Sequence, residues 1–366
     1  MKSDDTCSPT LMAESIRLVI TLAISNNWGI RFTDVSTAFL HADVIGNPYV
    51  YPPETENLDN TNTVWKLNKA QYGLKSAPKA WNQHLTKVLK GLGWTQSVLD
   101  ECIFFKQNQN IEKEESETPT TVDKFPITGL IAVYVDDLIV CGTTETTDEF
   151  YKEFEKSCTI SAPERLEVNG PEVTFLGFQY SRHENYVKIN PKEYVKKILI
   201  AFDCIDCKPR ATPGQNSEFE IDKKEREKFL LDKYEHKIYR RIVGQTLWVS
   251  SIRRDVAFPV KELSKHAHDP TKQDMLNAIH LLKYLKGTID ECVYIKPIGN
   301  NGKFEITVFT DADLGGCRTS RKSTSGGCIA LSGEISHTWA GQQNTIADSS
   351  AESEFTGLAQ ACKEAK

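Results

Sequence analysis

Apolar positions recur at helical spacing in several long stretches of the chain. In residues 10–27, "TLMAESIRLVITLAISNN", they repeat every three to four residues, which predicts an amphipathic helix with Ser8 as N-cap and Pro9 in its first turn. Residues 77–94, "APKAWNQHLTKVLKGLGW", predict a second helix, with Trp81 on its apolar face. Further helices are predicted in residues 149–160, 192–202, 239–252, 274–288 and from residue 349 onward.

Shorter apolar runs between these helices predict strands. Residues 29–34, "GIRFTD", read as a strand that ends at an acid and leads into a turn or short helix, and "CIFFK" reads as another. Residues 173–191 predict a hairpin with "HEN" at its turn. From residue 302 onward, "KFEITVFTDADLGG" and "SGGCIALSGEISHTWAG" predict strands with Gly-rich turns. Residues 107–124 predict a polar loop, and residues 208–235 a linker.

Two adjacent acids interrupt the apolar run of residues 129–142, "GLIAVYVDDLIVCG". Neighbouring side chains on a regular strand point to opposite faces, whereas a distorted hairpin turn can expose both at its tip. Buried without a partner, Asp136 and Asp137 would repel each other and raise each other's pKa. Bound Mg²⁺, which prefers oxygen ligands, removes that problem.

A two-ion site of this kind requires a further carboxylate at the end of a neighbouring strand. Asp34, the last residue of "GIRFTD", is the best candidate. A turn or a helix cap is the alternative interpretation of the acid pair alone.

Composition narrows the class of protein only slightly. Of the 366 residues, 39% are hydrophobic and 26% charged, as in a folded globular protein, and the longest apolar runs are too short to span a bilayer. The net charge of −6 argues mildly against nucleic acid as a partner, although a local basic groove matters more than the total. Cys204 and Cys207 form the one close cysteine pair, either two incidental thiols or a metal or redox pair.

The order of several motifs resembles that of copia-type LTR retrotransposon Pol polyproteins, in their reverse transcriptase and ribonuclease H region. The motifs are "TDVSTAFLHADV", "WKLNKAQYGLKSAPKAWNQHL", "LIAVYVDDLIVCG", "FLGFQYS", "YRRIVGQTLWVSSIRRDVAF", "LLKYLKGT" and "FTDADLGGCRTSRKSTSGGCIALSGEISHTWAGQQNTIADSSAESEF". The resemblance covers nearly the whole chain, from about residue 6 to its end.

The resemblance implies an α+β fold. It implies a right-hand polymerase palm, in which helices pack on an antiparallel sheet, with partial fingers, a helical connection and the start of a ribonuclease H-like α/β domain. The implied domains are residues 1–205 for reverse transcriptase, 206–300 for thumb and connection, and 301–366 for the ribonuclease H-like part. It further predicts that the chain lacks the upstream basic fingers segment and stops before the third ribonuclease H aspartate, as an internal polyprotein segment or a decayed gene copy.

Site residues of the polymerase follow from the same resemblance. Asp34 matches the first metal-binding aspartate, Asp136 and Asp137 match the Tyr-x-Asp-Asp pair, and Val35 would lend its backbone carbonyl to the metal. The implied cofactor is Mg²⁺, two ions at the polymerase site, with Mn²⁺ as a possible substitute. Phe39 falls where an aromatic ring packs under the incoming sugar and excludes a 2′-hydroxyl; the alternative is a core aromatic.

A second group of matched residues concerns the nucleotide. Tyr72, Gly73 and Lys75, in "QYGLKSAP", match the loop and helix start that contact the nucleotide and template. A glycine allows close backbone approach, and a lysine suits a phosphate, although Lys75 read alone is a solvated charge. The basic stretches 75–81, 240–244, 250–255 and 318–325 are candidate nucleic-acid contacts, with solvated faces as the alternative for each, and residues 75–79 are the best candidate.

In the C-terminal part, Asp311 matches the first ribonuclease H carboxylate, and Glu354 matches the second, both as metal ligands. Glu352 and Glu354 are two residues apart, so only one can face Asp311 from a helix. Asp313 and Asp348 are interpreted as turn and cap residues. Two carboxylates are too few for two-metal hydrolysis of a phosphodiester.

The implied activity is RNA-directed DNA polymerisation, the two-metal transfer of a nucleotide from dNTP to a primer 3′-hydroxyl. The implied partners are an RNA template, a DNA primer, an RNA–DNA hybrid and dNTP, without a membrane, inside the cell in a cytoplasmic virus-like particle or in the nucleus. The alternative is a catalytically inactive retroelement remnant that at most binds nucleic acid. A third hypothesis, a carboxylate-rich cation-binding module, gives no reason for "TDVSTAFL" and "YVDD" to coexist.

Overall fold

The computed structural model describes residues 6–53, 63–107, 126–214, 227–298, 305–317 and 320–365. The chain forms two compact units, Met1–Val173 and Thr174–Lys366. Both combine helices with antiparallel sheets, so the predicted mixed fold is confirmed at this level. No described helix has the length and apolar character needed to cross a membrane. The domain boundaries predicted at residues 205 and 300 stay predictions.

The first unit is built on a six-stranded antiparallel sheet, in the order β4-β5-β6-β7-β1-β8, with a separate two-stranded pair β2-β3. Its elements are α1 (Ala13–Ser25), β1 (Gly29–Asp34), α2 (Ala38–His41), β2 (Tyr49–Val50), β3 (Trp65–Lys66), α3 (Ala77–Gly91), β4 (Thr95–Gln96), β5 (Ile103–Gln107), β6 (Ile127–Tyr134), β7 (Asp137–Gly142), α4 (Thr144–Phe154) and β8 (Glu164–Arg165).

One face of this sheet packs against α3 and α4. Leu138 and Val140 of β7 lie in a buried cluster with Trp81 and Leu85 of α3 and Phe150 of α4. Because side chains alternate along a strand, Asp137 lies on the other face from Leu138. The long apolar run of residues 129–142 is therefore two strands, β6 and β7, that share one core and bring the acids to the sheet's end.

The second unit contains two sheets and a group of helices. The sheets have the orders β12-β11-β10-β9 and β13-β14-β15. The elements are β9 (Val173–Phe175), β10 (Phe178–His183), β11 (Tyr186–Asn190), α5 (Lys192–Ala201), α6 (Lys233–Ser250), α7 (Ala257–Lys265), α8 (Lys272–Gly287), β12 (Val293–Ile295), β13 (Ile306–Asp313), β14 (Thr324–Leu331), β15 (Glu334–Gln342) and α9 (Ser350–Glu364), with 3₁₀ turns at Glu227–Phe229 and Arg254–Val256.

Helices α5 to α8 share a single apolar core in this unit. Two of them begin with capping boxes, at Asp232 for α6 and Thr271 for α8, which satisfy free backbone N–H groups at the helix start. The Tyr239 hydroxyl donates to the Leu263 carbonyl at 2.6 Å, tying α6 to α7. Cys204 belongs to this core and Cys207 packs against it, both as free thiols, and the choice between incidental cysteines and a metal or redox pair stays a prediction.

Two predicted helix caps are wrong. Helix α1 begins at Ala13, after Met12 as N-cap, instead of near Ser8 and Pro9. Leu11 is buried while still outside the helix, a tertiary contact that helical spacing does not encode. Helix α9 is capped by Ser349, whose hydroxyl accepts the Glu352 N–H at 3.2 Å, and not by the predicted neighbouring aspartate. A serine hydroxyl reaches this N–H as well as a carboxylate does.

Two other predictions lie wholly or partly outside the described residues. The polar loop predicted at 107–124 falls almost entirely in the undescribed range 108–125. The linker predicted at 208–235 includes the undescribed range 215–226, and its last residues already belong to a 3₁₀ turn and to α6.

Candidate active site

The two adjacent acids stand at the tip of a tight hairpin. Tyr134 of β6 pairs with Asp137 of β7, so only Val135 and Asp136 form the turn. Val135 has a φ of 58°, in the left-handed region that β-branched residues rarely occupy. The local distortion anticipated for this stretch is therefore present, and it resides in Val135.

The third acid reaches the same point from a neighbouring strand. Strand β1 pairs with β7 in antiparallel register, with Asp34 directly opposite Asp137. Residues in such positions are about 5 Å apart and point to the same face of the sheet. The Val35 N–H also donates to the Asp136 carbonyl at 2.9 Å. The structure thus brings together the three aspartates that the sequence predicted to meet.

The end of β1 is held from its other side by Ser161. The Asp34 N–H donates to the Ser161 hydroxyl at 2.9 Å, and the Ser161 N–H donates to the Asp34 carbonyl at 2.8 Å. The Thr33 hydroxyl donates to the Ser161 carbonyl at 3.0 Å. These bonds fix the backbone that carries the Asp34 carboxyl. Sequence reasoning missed Ser161, since no local pattern links it to a residue 127 positions away.

Helix α3 contributes a further contact to the turn. The Trp81 indole N–H donates to the Val135 carbonyl at 2.6 Å, and the side chain is 1% exposed. The helical spacing predicted a core role for Trp81, and the residue does lie in the core. Its hydrogen bond to the hairpin gives no signal in the sequence.

Burial and repulsion raise the pKa of the two facing acids, Asp137 and Asp34. Burial, then the negative charges of Asp136 and Asp34, raises the pKa of Asp137 to about 6. Burial, followed by the charge of Asp136, also raises the pKa of Asp34. Each shift records the cost of burying a carboxylate and of holding it near other negative charges, which a bound cation would offset.

The donor set fits a divalent cation that is completed by substrate. Within the described ranges, no three His, Cys, Asp or Glu side chains converge tightly enough to hold an ion by themselves. Mg²⁺ in proteins usually takes only one or two carboxylates, with water and substrate phosphates as its other ligands. The facing Asp34 and Asp137 carboxyls, with Asp136 next to them, supply that number of ligands.

The residues predicted to contact the nucleotide lie in α2 and in the loop before α3. The rings of Phe39 and Tyr72 pack at a centroid distance of 4.6 Å, so Phe39 is a half-buried residue at the edge of the core and not a fully enclosed one. Gly73 has a φ of 97°, which only glycine adopts without strain. Lys75 is exposed just before α3. Their contacts with a nucleotide stay predictions.

The predicted ribonuclease H acids lie on β13 and α9. The backbone of Gly357 in α9 approaches Thr310 and Ala312, so these two residues face the helix and Asp311 lies on the opposite face of a regular strand. Asp311 and Glu354 are both exposed. Their pairing stays a prediction.

Glu352, the alternative carboxylate of α9, has a local partner. Its side chain accepts the Asp348 N–H at 2.8 Å, next to the Ser349 cap. A carboxylate engaged at a helix start serves the helix, as in a capping box. This contact favours Glu354 over Glu352 as the residue available to a ligand, in line with the motif match.

One of the basic stretches proposed for nucleic acid has a structural role instead. Arg253 is 3% exposed and bonds both oxygens of Asp255, at 2.9 and 2.7 Å, and the Thr288 carbonyl at 2.7 Å. Arg254 donates to the Ile335 and Ser336 carbonyls of β15. The two arginines of stretch 250–255 are therefore engaged within the second unit, by backbone carbonyl and carboxylate groups. Part of the stretch 318–325, namely 318–319, lies outside the described residues.

Comparison with known proteins identifies the family. A family model described as "Reverse transcriptase (RNA-dependent DNA polymerase)" matches residues 1–216. The chain belongs to this reverse transcriptase family. Its similarity to transposon Pol polyproteins confirms the predicted kinship with the copia-type reverse transcriptase region.

Three of the similar transposon polyproteins illustrate this relationship. The Pol polyproteins of transposons RE1 and RE2 from Arabidopsis thaliana are 29% and 30% identical, each over 98% of this chain and 23% of the relative. That of transposon TNT 1-94 from Nicotiana tabacum is 27% identical over 99% of this chain and 26% of the relative. The chain thus spans about a quarter of the length of these proteins.

A solved structure, the foamy viral protease-reverse transcriptase dRH in complex with ds DNA, is also similar. It is 14% identical, covering 92% of this chain and 48% of that one, with a TM-score of 0.25. This likeness is too low to define the fold or the site.

Proposed function

We propose that the chain is the RNA-directed DNA polymerase segment of a retrotransposon polyprotein. The observation that carries the proposal is the meeting of Asp34, Asp136 and Asp137 at one end of an antiparallel sheet. Negative charges brought this close together need a counter-charge, and a divalent cation supplies it while also binding the phosphates of a nucleoside triphosphate. Family membership makes nucleotidyl transfer the first reaction to test.

The cofactor of this proposal is Mg²⁺, as two ions, with Mn²⁺ as a substitute. When bound, the ions would activate the attacking hydroxyl and neutralise charge on the leaving phosphates. Asp34, Asp136 and Asp137 would hold them, together with the backbone carbonyl of Val35. The chain's own contribution is to fix these oxygens in place before the substrate arrives.

The proposed reaction joins a nucleotide to a primer. The primer 3′-oxygen forms a bond to the α-phosphorus of dNTP, the bond from that phosphorus to the bridging oxygen breaks, and pyrophosphate leaves. The hydroxyl proton passes to water. In this proposal Phe39, supported by the ring of Tyr72, lies against the sugar, Gly73 lets the backbone approach the nucleotide, and Lys75 binds phosphate.

The finer architecture belongs to the same proposal. The six-stranded sheet with α3 and α4 would be the palm of a right-hand polymerase, and β2 and β3 part of its fingers. Helices α6 to α8 would form the thumb and connection, and β13 to β15 with α9 the start of a ribonuclease H-like domain. There Asp311 and Glu354 would bind metal. The partners would be an RNA template, a DNA primer, their hybrid and dNTP.

Primer extension on poly-rA/oligo-dT with dTTP tests the proposal. The chain is expected to extend the primer with Mg²⁺ or Mn²⁺, and the Asp136→Asn/Asp137→Asn double variant is expected to lose this activity by at least about 1,000-fold. Glu155→Gln, which removes an exposed carboxylate at the end of α4, is the matched control and should retain activity. Equal rates for the chain and the double variant would contradict the proposal and favour an inactive remnant that only binds nucleic acid.

A further inference from the structure

The turn that carries the acid pair has an unfavourable backbone conformation. Val135 is β-branched and has a φ of 58°. A residue persists in such a conformation only where its surroundings determine it more strongly than its own preference. The contacts made by the Val135 backbone therefore decide whether Asp136 and Asp137 stay in their observed positions.

Trp81 makes the contact best placed to do this. Its indole N–H, the only hydrogen-bonding group of that side chain, donates to the Val135 carbonyl at 2.6 Å. The bond is buried, because Trp81 is 1% exposed. It reaches the turn from the second turn of the 15-residue helix α3, a rigid support.

Trp81 is itself held, and it also approaches the chain segment that follows Asp34. Its ring stacks on His84, one turn further along α3, at a centroid distance of 5.9 Å. On another side lies the His41 ring, 6.2 Å away, which contacts the Ser36 carbonyl at 3.2 Å through Nε2. Ser36 is two residues beyond Asp34. Trp81 thus contacts the hairpin directly and approaches the segment after Asp34 through the His41 ring.

We propose that Trp81 is a positioning residue for the metal-binding acids: its indole N–H holds the strained turn at Val135 and so sets the distance from Asp136 and Asp137 to Asp34. The inference rests on the proposed function, because it assigns Trp81 a role toward the cation that these acids would bind. The competing interpretation is that Trp81 only fills the core between α3 and the sheet. Replacing the N–H separates the two interpretations.

The test measures Mn²⁺ binding to the full chain by the loss of the free-ion electron paramagnetic resonance signal. Trp81→Phe removes the donor and keeps an aromatic ring in place. Trp94→Phe is the matched control, because Trp94 is a buried tryptophan of the same core whose ring packs edge-on against Phe150. We expect Trp81→Phe to weaken Mn²⁺ binding about tenfold, and Trp94→Phe to leave it within about twofold.

A second variant distinguishes loss of the indole hydrogen bond from loss of core packing. Glycine adopts a positive φ without strain, so the turn of the Val135→Gly variant depends less on the hydrogen bond from the Trp81 indole. The double variant Trp81→Phe/Val135→Gly is expected to recover most of the lost Mn²⁺ affinity. A residue that only fills the core would give no such rescue. If Trp81→Phe does not fold by circular dichroism, Trp81→Leu, a large apolar side chain with no hydrogen-bond donor, takes its place in both comparisons.

The outcomes distinguish this inference from the proposed function. Equal Mn²⁺ affinity for Trp81→Phe and Trp94→Phe, or no rescue by Val135→Gly, overturns the role of Trp81 while leaving the polymerase proposal in place. If Asp136→Asn/Asp137→Asn binds Mn²⁺ as well as the unaltered chain does, the proposed metal site is wrong and the inference falls with it. In primer extension, Trp81→Phe should lower kcat about tenfold and leave KM for the primer–template unchanged.

Discussion

Asp34 and Asp137 lie directly opposite each other in the antiparallel pair of β1 and β7, at the end where the hairpin turn places Asp136 beside them. Cross-strand neighbours of like charge destabilise a sheet. The sheet nevertheless ends on this pair, and burial and repulsion raise the pKa of both carboxyls. A chain that keeps such a pair gives up stability at this position, which is common where residues serve a function.

Removing one of the facing charges should therefore stabilise the metal-free chain. The pKa of Asp137 rises from its ordinary 3.8 to about 6 on folding, so the folded state holds the proton more tightly than the unfolded state. The contribution to stability is complete below about pH 4 and is lost as the pH rises through about 6. We expect Asp137→Asn to raise the free energy of unfolding at pH 7.5 by about 1 kcal/mol, a figure reduced because the side chain is half exposed.

Chemical denaturation in EDTA at pH 7.5 and pH 4 measures this effect. The stabilisation should disappear at pH 4, where the native carboxyl is already protonated. Added MgCl₂ should stabilise the unaltered chain and not the variant, because a ligand that binds the native state stabilises it. A variant that is less stable than the unaltered chain at pH 7.5 in EDTA would show that Asp137 makes favourable contacts that outweigh the repulsion.

The sequence predicted the parts of this site that depend on local pattern. Asp34 could be placed because an apolar strand ends there, and Asp136 and Asp137 because two acids interrupt an apolar run. Ser161 and the Trp81 hydrogen bond could not be predicted, since each joins segments that are far apart in the chain. A serine after a helix and a tryptophan on an apolar face have the same local pattern whether or not they support a site.

The fold shows the same division between local and long-range information. The extents of α3, α5 and α8 follow from helical periodicity, and the hairpin β10–β11 follows from its turn residues. The basic stretch around Arg253 looked exposed because arginine usually is. The Arg253 side chain is held in its buried position by Asp255, two residues along the chain, and by Thr288, 35 residues away. The contact with Thr288 has no counterpart in any local sequence pattern.

Backbone strain at the hairpin tip gives a second prediction. Val135→Gly and Val135→Ala both remove the apolar side chain, but only glycine adopts a φ of 58° freely. We expect the glycine variant to be more stable than the alanine variant by about 1 kcal/mol in urea denaturation. Val133→Gly and Val133→Ala, on the regular strand β6, are the matched pair, and there alanine should be the more stable. Equal stability of the two Val135 variants would mean that the turn relaxes to a negative φ.

The ring of Phe39 gives a third prediction, on sugar selection. If Phe39 lies under the incoming sugar, Phe39→Val opens space for a 2′-hydroxyl. We expect the ratio of UTP to dTTP incorporation on poly-rA/oligo-dT to rise about 10- to 100-fold, through a change in kcat/KM for UTP. Leu40→Val, at the exposed neighbouring position, is the control and should keep the original ratio. An unchanged ratio in an active Phe39→Val variant would assign the ring to the core alone.

The buried cation Arg253 gives the last prediction, on the stability of the second unit. Burial by itself raises the pKa of Asp255, but hydrogen bonds from Arg253 and from the Tyr284 hydroxyl outweigh it and hold that pKa below its ordinary value. Asp255→Ala leaves the enclosed guanidinium without its carboxylate and should cost about 2 kcal/mol in urea denaturation at pH 7.5, less than for a fully buried pair because Asp255 is partly exposed. Since the contribution of a carboxyl with a lowered pKa is lost as the pH falls below about 4, the difference in stability between the unaltered chain and Asp255→Ala should narrow in acid.

The control is Asp290→Ala, which breaks the exposed ion pair with Lys192 and should leave stability unchanged. An equal loss of stability in Asp255→Ala and Asp290→Ala would show that Arg253 is no better enclosed than a surface lysine.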